Sequence, residues 1–173
     1  TIEKGLSLNS NHSDFLFLRS LVYKRIGLFF TEFSKTEGER FALPETFLPA
    51  SLRNKSADDL FELAYTDLSL AISKKPQHWG AFTERAFLHY KNNEPGKGIE
   101  DLNKIIGTAQ KDSVPYFSAL LAKAYFLFKK GDYFKAWLDL ARISENPSSK
   151  SFITAQELER IKQFILRSKN LGK

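Results

Sequence analysis

The chain has 173 residues, a net charge of +6, 42% hydrophobic and 27% charged residues, a balance that excludes a wholly disordered chain. It is long enough to bury one ordinary core or a continuous seam through a short array of repeats. No cysteine is present, which removes disulfides, thiolate metal sites and cysteine nucleophiles together.

Taken in chain order, Gly5, Leu6, Leu8, Asn9 and Ser10 read as the tail of a helix, and Ser13 to Gly27 as the next helix, carrying Arg19, Ser20 and Tyr23. The apolar period is then lost: Thr36 to Lys55 holds Gly38, Pro44 and Pro49 and is expected to be a long irregular insertion, with a degenerate unit as the alternative. From Asp59 the period returns with Ala64, Leu68 and Ala71, and Pro76 closes the run. Trp79 to Asn93 is a helix with Phe82, Ala86, Phe87 and Tyr90 at helical spacing, broken by Asn92 through Gly96. Its partner runs from Lys97 to about Ile106, with Ile99, Leu102, Ile105 and Ile106 on one stripe. Pro115 opens a further helix with Leu120, Ala124 and Leu127, Gly131 and Asp132 make a turn, and Tyr133 to Ile143 returns with Ala136 and Leu140 inward until Pro147. Ser148 to Ser151 reads as a linker, and Thr154 with Glu157 fits a capping box opening a last helix. Leu158, Ile161, Phe164 and Ile165 give that helix one apolar side, expected to cover the open end of the stack.

Ala64, Ala86, Gly98, Ala124 and Ala136 stand where paired helices must approach closely. With Arg85-Ala86 in a first helix, Ile99 to Ile105 in a second, and Gly131-Asp132-Tyr133 at a turn, the chain resembles the tetratricopeptide repeat family, whose period is about 34 residues. Departures are plain: Asn93 and Gly131 stand 38 residues apart, so residues are inserted after Ile106, and Ile105 and Ile143 replace expected small residues. The resemblance implies an all-α fold, an α-solenoid of antiparallel helix pairs over residues 1–147 with the irregular insertion near 36–55. Residues 148–173 would form the linker and capping helix.

In that family the first helices of successive repeats line a concave groove that holds a segment of a partner protein. Carried over residue by residue, the groove positions are Thr83, Phe87, Tyr90 and Lys91 in one unit and Leu121, Tyr125, Phe128 and Lys129 in the next, with Lys24 and Arg25 extending the face. Large aromatic side chains with basic margins suit a peptide or helix bearing acidic and apolar residues. The family's lysine and asparagine clamp for chaperone tails is missing, since Thr83, Phe87, Leu121 and Tyr125 fill those positions.

Chemistry-bearing residues are sparse. His12, His78 and His89 show no metal-ligand spacing, and His89 is expected in or beside the core. The acidic neighbours Asp58-Asp59 and Glu100-Asp101 point to different parts of a helix surface and are expected to be solvated. Pro95-Gly96-Lys97-Gly98 lacks the strand and the hydroxyl of a phosphate loop. The expected protein is therefore non-catalytic, without metal or cofactor, and binds another protein. Its C-terminal stretch, with Lys150, Arg160, Lys162, Arg167, Lys169 and Lys173, supplies the basis for a rival reading as an RNA-binding repeat, although nucleic acid is disfavoured because acidic residues are interspersed elsewhere. A structural spacer with an empty groove is the other rival. No apolar run reaches the roughly 18 residues of a membrane span. The absence of methionine points to a piece or processed form, with compartment and oligomeric state left open.

Overall fold

A computed structural model describes residues 12–36 and 48–171, with side chains at 12–32 and 48–167. The expected helix tail at Gly5 to Ser10 and most of the irregular stretch lie outside these residues. The described chain is all-α: helices α1 (Ser13–Thr36), α2 (Ala57–Lys74), α3 (Trp79–Lys91), α4 (Pro95–Thr108), α5 (Val114–Lys129), α6 (Tyr133–Glu145) and α7 (Ala155–Leu171), with short 3-10 turns at Ala50–Leu52 and Pro147–Ser151, and no strand among the described residues. It divides into two compact units, residues 1–81 and 82–173, the division falling inside α3.

In the first unit α1 and α2 lie antiparallel. The helix α1 was expected to stop at Gly27 but continues to Thr36. Gly27 is not a terminator there because it serves a contact: a Cβ at this position would stand 3.0 Å from the Phe61 ring and 3.2 Å from the Ala57 carbonyl of α2. The expected stripe Ala64, Leu68 and Ala71 is buried together with Leu16, Leu60 and Phe61. The helix α2 starts at a capping box in which the Ser56 amide donates to Asp59 Oδ2 at 2.8 Å and the Asp59 amide donates to Ser56 Oγ at 3.1 Å, satisfying two orphan donors. At the start of α3, His78 Nδ1 accepts from the Ala81 amide at 3.2 Å. His78 thus acts as a helix cap, and its Nε2 sits 3.2 Å from Asp14 Oδ1.

In the second unit, α4 packs on α5, α5 on α6 and α6 on α7. Two turns there share one backbone solution. After α3, Asn93 adopts φ 61°, the Asn93 amide donates to the Tyr90 carbonyl, and the Glu94 amide reaches back to His89 at 2.8 Å. After α5, Gly131 adopts φ 86°, its amide donates to Phe128, and the Asp132 amide reaches back to Leu127 at 2.9 Å. Both are left-handed helix ends that satisfy the last carbonyls, with asparagine tolerating at one turn what glycine provides at the other. Pro95 and Pro115 occupy the first turns of α4 and α5, where the missing amide has no helical partner to lose. One core cluster joins Phe117, Leu120, Ala124 and Leu127 of α5, Ala136, Leu140 and Ile143 of α6, and Leu158 and Ile165 of α7. The helix α7 opens at its expected capping box, the Thr154 amide donating to Glu157 Oε2 at 3.0 Å and the Glu157 amide to Thr154 Oγ1 at 3.1 Å. Gly98 has no room for a side chain, since a Cβ would fall 2.7 Å from the Ala86 carbonyl and 2.9 Å from Phe126.

Candidate functional site

The structure gathers part of the expected groove onto one face of the second unit. Phe87 and Tyr90 of α3 meet α5: the Phe87 ring lies edge-on to Phe126 at 5.3 Å, Tyr90 stacks on Phe126 at 4.8 Å, and the Tyr90 and Tyr125 rings are 5.7 Å apart. Phe126, fully buried, is the shared floor beneath these rings. Phe87 and Tyr125 remain 39% and 45% exposed, which is what distinguishes them from core residues. Lys129 Nζ stands 5.8 Å from the Tyr125 ring centre, and Lys91 is exposed at the end of α3. Thr83 is half-buried one turn before Phe87. Partial burial, followed by a hydrogen bond with Tyr125, raises the Tyr90 phenol above its ordinary value, so it stays neutral near pH 7.

Leu121 and Phe128, on the same stripe of α5 as Tyr125, turn toward α7. Phe128 contacts Tyr133 at 5.6 Å and Phe164 at 5.3 Å between ring centres. Leu121 lines an open cavity of about 400 Å³ with Phe152, Ile153, Glu157, Arg160 and Ile161. The helix α7 therefore does more than cover an apolar surface: it walls one side of the α5 stripe, while α3 walls the other. Lys24 and Arg25 belong to α1 in the first unit, where Lys24 is half-buried and Arg25 exposed.

A set of residues that the sequence reading passed over recurs in every helix pair. Arg19 of α1 donates from Nε and Nη2 to the two carboxylate oxygens of Asp67 in α2, both at 2.6 Å. Arg85 of α3 grips Asp101 of α4 in the same bidentate manner at 2.8 and 2.7 Å. At the equivalent place in the next pair, Lys123 Nζ of α5 lies 3.3 Å from Asp139 Oδ2 of α6, and Arg142 donates to Asp139 Oδ1 at 3.1 Å. All three aspartates are buried, where an unpaired carboxylate would be costly. The hydrogen bonds to Asp67 are the leading cause of the raised value of Arg19. The expectation that Glu100-Asp101 is a solvated pair is thus corrected for one member: Glu100 is exposed, whereas Asp101 faces Arg85. The signal was readable, because each cation precedes a small residue (Ser20, Ala86, Ala124) and each aspartate precedes a leucine (Leu68, Leu102, Leu140).

His12 and His78 both approach Asp14, at 3.8 and 3.2 Å, whereas His89 pairs with Glu94 in the second unit. His12 is exposed before α1, His78 caps α3, and His89 is buried with Nδ1 3.2 Å from Glu94 Oε2. Lys97 first and His89 second hold the Glu94 carboxyl below its usual range. Among the described residues no three His, Asp or Glu side chains are grouped to hold a metal ion, and no helix is long and apolar enough to cross a membrane. No protein-family model, curated protein or solved structure matches this chain.

Proposed function

We propose that the chain is a non-catalytic protein-binding scaffold, a short tetratricopeptide-like α-solenoid that holds a partner segment against the face formed by Phe87, Tyr90 and Tyr125, with Lys91 and Lys129 at its margin. The observation that carries this reading is the pair of partly exposed rings, Phe87 and Tyr125, seated on the buried Phe126. Aromatic anchors on a rigid floor bury large areas on docking while losing little side-chain freedom, and a preformed face limits the ordering cost of association. The lysines select for carboxylates beside the anchors. Close approach of helices at Gly98, the repeated left-handed turns and the repeated cation-aspartate pairs support the repeat reading, because they make successive hairpins variations on one unit.

A photoreactive residue placed at Tyr125 should attach to a defined protein segment in the native cell, whereas the same probe at Lys104, on the exposed side of α4, should not. Replacing Phe87 and Tyr125 by Ala should weaken that capture with helicity unchanged. Equal attachment at both places, or attachment to RNA, would remove the reading.

A further inference from the structure

The aromatic face does not end at Tyr125. One helical turn earlier on the same side of α5 stands Leu121, which opens into the cavity walled by α7. The walls are apolar: Leu121, Phe152, Ile153 and Ile161. Two charged side chains reach the rim, and they differ in what they have left to offer. Glu157 is committed to its own helix, accepting from the Thr154 amide and hydroxyl at 3.0 and 2.6 Å. Those hydrogen bonds are the main cause of its lowered value, with the field of Arg160 contributing after them. Arg160 is exposed, and among the described residues no carboxylate lies within ion-pair distance of its guanidinium. Cations therefore stand at both ends of the α5 stripe, Arg160 by Leu121 and Lys129 by Tyr125, on a chain whose net charge is already positive.

We infer that the segment held on this face carries an aliphatic or aromatic side chain that fills the cavity between α5 and α7, with a carboxylate beside it that Arg160 binds. This rests on the protein-binding reading above and sets its chemistry. The planar guanidinium matches a carboxylate bidentately, as Arg19 and Arg85 already do within this chain. An open volume of about 400 Å³ accommodates a large side chain, so the apolar walls select for apolarity while the arginine selects for charge.

The test uses the full chain as bait in a selection from a random twelve-residue peptide library, followed by affinity measurement on the enriched peptides. The expected result is a motif of one large apolar residue flanked by Asp or Glu. Arg160→Glu should then weaken the selected peptide about tenfold, and exchanging the peptide's acid for Lys should restore binding to that variant. Because Arg160 is exposed, the substitution leaves the core alone, and circular dichroism verifies it. Phe87→Ala with Tyr125→Ala is measured in parallel. Loss with the aromatic pair but unchanged affinity with Arg160→Glu would overturn this inference and keep the scaffold reading. No enrichment, or peptides indifferent to both changes, would overturn both.

Discussion

The hairpins α3–α4 and α5–α6 meet the same demand, a buried aspartate at the contact between two helices, with different success. In the first, the arginine fork of Arg85 satisfies both oxygens of Asp101. In the second, the ammonium of Lys123 is a point charge 3.3 Å from Asp139 Oδ2, an oxygen left without a hydrogen bond, and Arg142 comes in from a largely exposed position on the same helix to serve the other oxygen. The difference teaches that charge balance and hydrogen-bond satisfaction are separate requirements. Lysine meets the first, and only a planar multi-donor group meets both.

Removing the cation separates the hairpins most. Arg85→Ala leaves Asp101 buried and unpaired and should cost about 3 kcal/mol in urea unfolding, whereas the double change Arg85→Leu with Asp101→Leu should recover most of that loss. Lys123→Ala should cost about half as much, because Arg142 stays in place. Equal losses for the two alanine variants would break the comparison.

Next in size is the backbone approach. Gly98→Ala drives a Cβ into the Ala86 carbonyl and should cost about 1–3 kcal/mol. At the matching position of the second hairpin Ala136 already carries its methyl group in the core, and Ala136→Gly should cost about 1 kcal/mol. A Gly98→Ala protein as stable as the parent, by thermal melting, would show that the two helices are not held at contact. A smaller effect sharpens the contrast by its sign: Lys123→Arg should stabilise by about 1 kcal/mol by supplying the missing hydrogen bond to Asp139, visible as a raised urea midpoint at constant slope. A lowered midpoint would mean that the space beside Ala124 cannot take the larger group.

The smallest effect concerns pH and distinguishes the two turns from the two buried pairs. The half-buried Glu94 is held below its ordinary value chiefly by Lys97, and the half-buried Asp132 chiefly by Lys135. A carboxyl depressed in the folded state contributes stability above its unfolded value, and that contribution is lost as pH falls through about 4 toward the folded value. Amide protection in the first turns of α4 and α6, taken relative to the intrinsic exchange rate at each pH, should therefore fall over that range. Glu94→Gln should abolish the trend at α4 alone; an unchanged trend would assign it elsewhere.

Most helix bounds in the second unit were legible because Pro, Gly and Asn mark them. Pro95, Pro115, Gly131 and Asn93 each impose a backbone state that a sequence states outright. The capping box of α7 was equally readable, since Thr154 and Glu157 are reciprocal partners only three residues apart. The end of α1 was misread because glycine is ambiguous: at Gly27 it permits a close approach, while at Gly131 it permits a positive φ, and local sequence does not separate the two uses. The candidate face was half legible. The positions carried over from the repeat resemblance put Phe87, Tyr90 and Tyr125 together, but they could not reveal that α7 would claim Phe128 and one side of Leu121, because that depends on a helix far along the chain. The aspartates were passed over because a charge is ordinarily a surface residue; only overlaying the hairpins shows the same charge returning at the same inward place.

That return fixes where the chain can change length. The cation precedes its aspartate by 16 residues in both hairpins of the second unit, while the extra residues that stretch the spacing fall after Ile106, in the connection from one hairpin to the next. In these two hairpins the ionic latch closes over one fixed span, whereas Arg19 and Asp67 close the same latch across 48 residues; the joint after Ile106 is where a tag, a reporter or a newly copied cassette could be spliced without disturbing either neighbour.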